Sequence, residues 1–388
     1  MIAQLWSFRP VNAPCVPVFV AVGVLACSRV VSAQAGFEVI HQFMGGADGS
    51  YVAAGLIQGT DGYFYGTTSR GGASDRGIVF RLGDDGNLTT IYTFSGGTDG
   101  REPNGLMQAS DGNFYGTTYH GGMFDQGTAF QVTPDGVATI LHSFACAVDG
   151  CLPVARLIQV SDGNLYGTTN SGGPDDSGVV FQMTLDGTVT VLHNFFYNAE
   201  GAEPSALLQA IDGSFYGTLS VGGAGGGGTV YQLTSDGVVT LLHQFSGADG
   251  RFPIAGLLYT TDGLFYGTTE AGGASDFGVV YQMDPAGNIA VLHEFTGLDG
   301  AYPRSVLIQG VDGNLYGTAY TGIGPAAQGT VFQLDPSGQS FVVLHTFNGA
   351  DGSEPTNDLL QAGDGRFYGT TLIGGTYGGG VVFRLTLL

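Results

Sequence analysis

The repeated stretch DGYFYGTTSRGG, residues 61–72, decides the fold of this chain. Six further copies occur: DGNFYGTTYHGG from Asp111, DGNLYGTTNSGG from Asp162, DGSFYGTLSVGG from Asp212, DGLFYGTTEAGG from Asp262, DGNLYGTAYTGI from Asp312 and DGRFYGTTLIGG from Asp364. The copies begin 50, 51, 50, 50, 50 and 52 residues apart. A fixed period of this size is typical of propellers, solenoids and other arrays. The sequence therefore predicts seven copies of one structural unit.

Each unit contains four short runs of apolar, aromatic and β-branched residues. In the second unit these runs, called strands a, b, c and d, are GLMQAS (105–110), NFYGTT (113–118), GTAFQV (127–132) and VATILHSF (137–144). Asp-Gly pairs separate a from b and c from d, and Asp-Gly between such runs is a strong hairpin signal. Four-stranded antiparallel units repeated radially form propeller blades. We therefore predict an all-β fold, a seven-bladed β-propeller.

The two ends of the repeat region complete each other. The last unit ends with the strand-c sequence VVFRL (381–385), whereas FEVIHQF (37–43) reads as a strand d with no unit before it. We predict that Phe37–Phe43 pairs with Val381–Leu385 in the seventh blade and closes the ring, so that residues 36–388 form one domain. The glycine in the middle of each strand b, Gly66 in the first unit, is expected where neighbouring blades approach closely.

The first 35 residues differ from the repeats and have the features of an export signal. Arg9 precedes the apolar run VPVFVAVGVLAC (16–27), and VSA (31–33) places small residues at a signal-peptidase site. The run is too short for a permanent membrane-spanning helix, so a signal peptide at residues 1–35, cleaved near Ala33 or Ala35, is predicted. A retained anchor is one alternative. The other is a lipoprotein, because VLAC (24–27) is a loose lipobox ending at Cys27.

The charge balance argues against nucleic-acid binding. The 388 residues include 33 acidic and 11 basic side chains, a formal net charge of −22, and every basic residue is Arg. Such a surface repels phosphate backbones. It suits a solvated extracellular surface, and we expect a monomer that is secreted or held at the cell surface.

Cysteine usage agrees with export. Outside the leader the chain has only Cys146 and Cys151, both in the short loop FACAVDGCLP (144–153). Two cysteines so close together predict a disulfide formed in an oxidising compartment. A metal-binding pair is the competing interpretation, but no second Cys or His pair completes such a site.

The repeat resembles a known family. The pattern YGTT, two residues, Gly-Gly and then a Gly-Thr/Val-Val-Phe/Tyr strand is similar to the Gloeo/Verruco (GloVer) tandem repeat of bacterial choice-of-anchor exported proteins. The likeness runs from about Phe37 to the C-terminus. It implies an exported or surface protein with a propeller-like repeat region and no established activity. Such proteins often carry a C-terminal sorting segment; here the sequence ends in VVFRLTLL (381–388), and we expect simple secretion.

Two recurrent residue types are candidates for metal binding. Strand d carries His41, His142, His193, His243, His293 and His345, with Tyr92 in the remaining unit. One histidine per blade on the outer strand cannot converge on one ion, so a scaffold role is predicted. The carboxylates that follow strand d are Asp48, Asp99, Asp149, Asp249, Asp299 and Asp351, with Glu200 in the fourth unit. We predict that they form turns; they are weak candidates for Ca²⁺, the one cofactor considered.

Residues that differ between the units are the better candidates for function. Because strands b and d run opposite to a and c, the b–c and d–a loops share one face, and variable loops on a rigid frame often carry function. The predicted ligand-binding residues on this face are Arg70, Tyr119, His120, Arg101, Arg251, Glu270, Arg304 and Tyr320. Neutral drift of exposed loops would produce the same variation.

The sequence contains no catalytic motif of a known type. We predict an exported, non-catalytic β-propeller that binds an extracellular ligand, a glycan or a protein, through the b–c and d–a loop face. One alternative is a polysaccharide-active hydrolase or lyase that uses Glu270 and His120. In this alternative Glu270 forms a carboxylate pair with Glu102, Glu203 or Glu354, since glycoside chemistry needs paired acidic groups. The other is a structural repeat protein of the cell surface.

Overall fold

The computed structural model describes residues 35–322 and 328–387. The predicted signal peptide, apart from its last residue, and the alternative lipid-attachment site at Cys27 lie outside the described residues. The described chain forms seven antiparallel sheets, one per repeat unit, with almost no helix. The predicted all-β, seven-bladed propeller is therefore confirmed.

Blades 1 to 4 have the same five strands, because strand a is divided into two pieces. Blade 1 contains β2 (Ser50–Val52), β3 (Ile57–Gln58), β4 (Phe64–Arg70), β5 (Ile78–Leu82) and β6 (Leu88–Thr93). Blade 2 contains β7 (Arg101–Pro103), β8 (Met107–Gln108), β9 (Phe114–His120), β10 (Thr128–Val132) and β11 (Ala138–Ser143). Blade 3 contains β12 (Cys151–Pro153), β13 (Ile158–Gln159), β14 (Leu165–Ser171), β15 (Val179–Met183) and β16 (Val189–Asn194). Blade 4 contains β17 (Ala202–Pro204), β18 (Leu208–Gln209), β19 (Phe215–Val221), β20 (Thr229–Leu233) and β21 (Val239–Gln244).

Blade 6 has the same five strands, whereas blades 5 and 7 have four, without a strand for the first piece of strand a. Blade 5 contains β22 (Leu258–Tyr259), β23 (Phe265–Thr269), β24 (Val279–Met283) and β25 (Ile289–Glu294). Blade 6 contains β26 (Ala301–Pro303), β27 (Ile308–Gln309), β28 (Leu315–Thr321), β29 (Thr330–Leu334) and β30 (Phe341–Thr346). Blade 7 contains β31 (Leu360–Gln361), β32 (Phe367–Thr370), β33 (Val381–Thr386) and β1 (Gly36–Gln42). Two d–a loops hold one short helix each, a 3-10 turn at Gly46–Asp48 and an α-helical turn, α1, at Cys146–Asp149.

The strand β1 closes the ring as predicted. It pairs antiparallel with β33, from Gly36 opposite Thr386 to Gln42 opposite Val381. Phe37 stacks on His345 of blade 6 with a ring separation of 3.5 Å and also packs against the buried Phe383 of blade 7. The outer strand of the last blade therefore comes from the opposite end of the described chain.

The innermost strand a differs from the expected continuous strand. In blade 1, Val52 of β2 pairs with Thr68, whereas Ile57 of β3 pairs with Tyr65, so the partner strand advances fewer residues than strand a. The residues between the two pieces bulge out of the sheet. The equivalent bulges of all seven blades line one cavity in the middle of the ring. We call residues 53–55, 104–105, 154–156, 205–206, 254–256, 304–306 and 356–358 the axial bulges.

The first half of the repeated phrase is explained by a hydrogen-bonded hairpin. In six blades the Tyr hydroxyl of Phe/Leu-Tyr-Gly donates to the turn Asp four residues earlier, at 2.7–2.9 Å. In blade 2 the Asp111 carboxylate also accepts the Asn113 amide N–H at 3.0 Å. Burial and the hydrogen bond to Asp111 raise the pKa of Tyr115 to about 12. Asp and Tyr therefore fasten the a–b turn to strand b.

The first threonine of the phrase fastens one blade to the next, and the second fixes the end of its own strand b. The first Thr donates to a backbone carbonyl in the axial bulge of the following blade, as Thr67 does to Asn104 at 2.9 Å and Thr168 does to Ser205 at 2.9 Å. The second Thr donates to the carbonyl two residues on, as Thr118 does to His120 at 2.9 Å. The phrase therefore recurs because its Asp, Tyr and Thr residues have structural partners in most of the blades.

The mid-strand glycine makes room for an aromatic ring of its own blade, not for a neighbouring blade as expected. Gly66 lies opposite Phe80 of strand c, and a Cβ on Gly66 would lie 2.6 Å from the Phe80 ring. The same pairing occurs between Gly116 and Phe130. Cross-strand packing within the blade, which a count of repeats does not reveal, is the physical reason for this glycine.

The Gly-Gly pair permits close approach between two loops. In blade 2, Gly121 has φ +90° and lies against the d–a loop; a Cβ would be 2.9 Å from the Gly100 carbonyl carbon and 3.1 Å from the Gly97 oxygen. The Gly121 N–H donates to Asp125 and the Gly122 N–H donates to the Gly97 carbonyl. Backbone therefore packs directly on backbone where the b–c and d–a loops meet.

Seven apolar clusters lie between adjacent blades and form the core. The cluster between blades 7 and 1 includes Phe43, Phe64 and Phe80 together with Tyr368 and Val382, all at most 2% exposed. Its composition matches the other six interfaces. Because both faces of every sheet are covered, aromatic and β-branched residues occur on both faces.

Two buried hydroxyls in this core predict a gain in stability. Tyr231 and Tyr281 occupy the strand-c position that is Phe in the other five blades, and their hydroxyls have no hydrogen-bond partner among the described residues. We expect Tyr231→Phe to raise the unfolding free energy by about 1 kcal/mol, because an unsatisfied buried hydroxyl is removed. Denaturant unfolding measures the change.

A matched control lies in the same blade. The Tyr216 hydroxyl donates to Asp212 at 2.9 Å and accepts from Gln232 at 3.0 Å. Tyr216→Phe is therefore expected to lower the unfolding free energy by about 1 kcal/mol. Equal losses in both variants would contradict the assignment of the Tyr231 hydroxyl as unsatisfied.

Candidate functional site

One face of the propeller brings the b–c and d–a loops together. Arg70, at the end of strand b in blade 1, lies 3.4 Å from Glu102 in β7, the first piece of strand a in blade 2. His120, at the end of the next strand b, lies 4.0 Å from the same carboxylate. We call this surface the loop face.

Seven equivalent positions, where strand a begins in each blade, share an unusual backbone conformation. Each has φ between 56° and 60°, and none is glycine: Tyr51, Glu102, Leu152, Glu203, Phe252, Tyr302 and Glu354. A left-handed conformation at a non-glycine residue costs about 1–2 kcal/mol. The backbone is the same in every blade while the side chains differ, whereas the other non-glycine residues with positive φ are all Asp of the b–c loops: Asp75, Asp125, Asp176 and Asp276. Retained strain with varied side chains is typical of positions that serve function.

The first polar cluster surrounds an open pocket of about 530 Å³ across blades 7, 1 and 2. Arg70 and Glu102 line this pocket together with Tyr51 and Tyr119. Glu102 is the central group, because it faces both Arg70 and His120. We call this site the Glu102 pocket.

The second polar cluster lies between blades 5, 6 and 7. The Arg304 guanidinium donates from Nε to Glu270 at 3.0 Å and lies over the Tyr320 ring, 4.1 Å from its centre. Burial and the nearby Glu354 carboxylate raise the pKa of Tyr320. Most hydrogen-bonding groups of this cluster face each other, so less of its chemistry is open to a ligand.

Arg101 and Arg251 fix loops. The Arg101 guanidinium donates to Asp125 at 3.1 Å, and Arg251 donates to Asp276 at 2.6 Å. Each pair joins the start of strand a to the b–c loop of the same blade. Both arginines lie on the loop face where the sequence placed them and each is held by an aspartate, although Nε of Arg251 is buried without a hydrogen-bond partner among the described residues.

The alternative catalytic residues belong to different clusters. Glu270 lies in blade 5 against Arg304, whereas His120 lies in blade 2 near Glu102. The structure therefore does not bring Glu270 and His120 together.

The histidines and post-strand-d carboxylates form one pair per blade at the rim. His142, His243, His293 and His345 each lie 2.6–3.0 Å from the Asp of the same connection, and Glu200 takes this place beside His193. The other carboxylate oxygen accepts a turn N–H, as Asp299 does from Thr296 at 2.9 Å. Although burial opposes it, hydrogen bonds from His293 and Thr296 hold the pKa of Asp299 below its usual value.

The Ca²⁺ candidates Asp48, Asp99, Asp149, Asp249, Asp299 and Asp351 are thus distributed around the ring, each engaged with its own turn. Within residues 35–322 and 328–387, no three His, Cys, Asp or Glu groups lie close enough together to hold a metal ion. In the third d–a loop, Cys146 and Cys151 are joined by a disulfide.

The sequence interpretation missed the axial cavity. Its volume is about 690 Å³, and its charged lining residues are Arg156, Arg304 and Asp358. Aligning the seven units at the Leu of strand a would have revealed two of them, because Arg156 and Asp358 occupy a position that is Gly, Ala or Val in the other five units.

Seven four-stranded blades, closed by β1 and carrying polar loops on one face, define the chain as a seven-bladed β-propeller. More specifically, the chain belongs to the Gloeobacter/Verrucomicrobia repeat family, whose model matches residues 26–210 and 203–388. The comparison with curated proteins gave no match.

Solved structures share the fold at low sequence identity. The extracellular domain of a protein named as a hybrid two component system from B. thetaiotaomicron aligns with a TM-score of 0.60 and 14% identity, over 91% of this chain and 41% of its own. The extracellular domain of a one component system from the same organism gives 0.60 and 12%, over 91% and 42%. A gluconolactonase from Xanthomonas campestris gives 0.47 and 13%, over 92% and 91%. This chain spans about two fifths of the length of the first two structures, and the likeness shows the fold alone.

The described residues include no helix long and apolar enough to pass through a membrane.

Proposed function

We propose that this protein is an exported, non-catalytic module that binds a glycan on its loop face, at the Glu102 pocket. The observation that carries the proposal is the position of Glu102, held in a left-handed conformation between Arg70 and His120 at an open pocket of about 530 Å³. That size falls within the about 300–1,000 Å³ typical of small-molecule sites.

A glycan suits the chemistry of this pocket. Carboxylate and guanidinium groups can accept from and donate to the hydroxyls of one sugar, and Arg70 remains 42% exposed at the pocket. Tyr51 and Tyr119 supply flat apolar surfaces with polar edges, which suits the faces of sugar rings. The opposite charges of Arg70 and Glu102 balance, so a neutral ligand meets no net charge there.

The engagement of the predicted catalytic groups supports binding over hydrolysis. Glu270 already accepts from Arg304, and His120 is in another cluster. A pair of carboxyl groups for glycoside chemistry needs a separation of roughly 5–10 Å around an open substrate site.

We place the protein outside the cytoplasm. The signal-like residues 1–35 and the Cys146–Cys151 disulfide support export, and two of the solved structures with the same fold are themselves extracellular domains. Release into the medium is favoured over lipid attachment at Cys27. The intact mass of the exported protein distinguishes them, since lipidation would retain Cys27 and add the lipid.

A glycan array followed by titration calorimetry tests the binding proposal. We expect a hit whose affinity falls about tenfold or more in Glu102→Ala, because a charged hydrogen-bonding group is lost. Glu203→Ala is the matched control: Glu203 has the same conformation, φ 60°, but does not line the pocket, so its affinity should be unchanged.

A hydrolysis panel on the same polysaccharides tests the enzymatic alternative. Turnover that is lost in Glu270→Gln would contradict the proposal. So would glycan binding that Glu102→Ala and Glu203→Ala weaken equally.

A further inference from the structure

The axial cavity is a second polar site, separate from the Glu102 pocket. One position in each axial bulge precedes the buried Leu of strand a, and the seven residues there are Gly55, Gly105, Arg156, Ala206, Gly256, Val306 and Asp358. Five are small or apolar, and the remaining two carry opposite charges. A ring of equivalent positions thus has one cationic and one anionic member.

Arg156 and Asp358 face each other across the ring. They belong to blades 3 and 7, which are not neighbours, yet Nη2 of Arg156 lies 4.0 Å from Oδ2 of Asp358. Blades 1 and 2 lie between them and have Gly55 and Gly105 at the same position. A Cβ on Gly105 would be 3.1 Å from the Arg156 Cβ, and a Cβ on Gly55 would be 3.2 Å from the Asp358 Cβ. The glycines leave room for the two charged side chains.

The pair contributes little as a structural contact. A separation of 4.0 Å is too long for a hydrogen bond, and no hydrogen bond from the Arg156 guanidinium to another described residue is seen. Partly exposed ion pairs contribute roughly 0–1 kcal/mol to stability. Asp358 is better fixed, because its Oδ1 accepts the Val306 N–H at 2.7 Å, which leaves Oδ2 available. Burial raises the pKa of Asp358, although Arg156 and the Val306 N–H oppose this.

We propose that the axial cavity binds a small hydroxy-carboxylate, such as a sugar acid. The ligand carboxylate accepts from the Arg156 guanidinium, whose planar donors match a carboxylate in pairs. A hydroxyl of the same ligand donates to Oδ2 of Asp358. The volume of about 690 Å³ accommodates a sugar acid with its hydration water, and the rest of the lining is mostly small and apolar.

Other ligand classes fit less well. A cationic ligand would meet Arg156 and Arg304, which both line the cavity. A phosphate dianion would place two negative charges beside Asp358 in a chain with a net charge of −22. A carboxylate adds only half the charge of a phosphate dianion, so Asp358 repels it less while Arg156 attracts it.

Titration calorimetry with D-glucuronate, D-glucose and acetate tests this proposal. The full-length secreted protein should bind glucuronate more tightly than acetate or glucose, because only glucuronate supplies both groups. Arg156→Gln should weaken glucuronate binding about tenfold or more through loss of the charged hydrogen bonds. Asp358→Asn should reduce the preference for glucuronate over acetate. Thermal unfolding of both variants checks that they fold.

The controls separate this site from the loop face. Glucuronate binding that Glu102→Ala weakens and Arg156→Gln leaves unchanged would place the ligand at the Glu102 pocket and overturn the proposal. Absence of glucuronate binding to the unmodified protein, or binding that a folded Arg156→Gln variant retains in full, would overturn the proposal.

Discussion

Deletion of residues 36–42, the strand β1, is expected to abolish the stable monomer. The deletion removes the partner of β33 and exposes Phe383 and Val381, both fully buried in the intact ring. It also removes Phe37 and Ile40, which pack in the clusters on the two sides of blade 7. The lost burial and backbone pairing amount to about 5 kcal/mol or more, comparable with the whole stability of a typical domain. Light scattering and thermal unfolding measure the outcome.

The exposed edge of β33 provides a rescue experiment. A strand that has lost its neighbour pairs readily with another extended chain. A synthetic peptide of residues 35–44 should therefore restore the monomer and its melting temperature, whereas a peptide of the same composition in scrambled order should not. A deletion variant that stays monomeric with an unchanged melting temperature would contradict the closed ring.

Gly121→Ala is expected to be the most damaging conservative substitution in the loops. Gly121 has φ +90°, and an added Cβ would overlap backbone atoms of Gly100 and Gly97, which cannot rotate away. Left-handed strain and overpacking together should lower the unfolding free energy by about 3 kcal/mol or more.

Gly112→Ala is the matched control. Gly112 lies in the same blade with φ +83°, but nothing lies within 4 Å of an added Cβ. Gly112→Ala should lower the unfolding free energy by only about 1 kcal/mol, which is the cost of the left-handed conformation alone. Denaturant unfolding of both variants isolates the packing contribution, and equal losses would show that the two loops do not press on each other.

The ring could be predicted from the sequence because the residues of the repeated phrase have fixed structural roles. Asp61, Tyr65 and Thr67 each have a hydrogen-bond partner that recurs around the ring, so their spacing reports the blades directly. The pairing of Phe37–Phe43 with the last blade followed from counting strands. The predicted reason for Gly66, close approach of neighbouring blades, was wrong. Periodicity locates a glycine along its strand but does not show that the Phe80 ring of the same blade lies over it.

The candidate site could be predicted less completely. The loop face followed from strand directions, and Arg70, Tyr119 and His120 lie there near Glu102. The role of Glu102 as the central group depends on its left-handed backbone conformation, which could not be predicted from the residue type. Sequence also cannot show that Arg304 is engaged by Glu270, because this pair joins blades 5 and 6 over 34 positions.

At the seven left-handed positions where strand a begins, the side chain can be exchanged without any change in the scaffold. Their backbone is held by the surrounding loops, so exchange of one side chain there changes what the face offers without altering a blade. Glycine at any of them would relieve about 1 kcal/mol of strain. Selection for stability alone would therefore favour glycine at these positions, which would leave this face without their side chains. We therefore expect a role other than stability for Tyr51, Glu102, Phe252 and their counterparts.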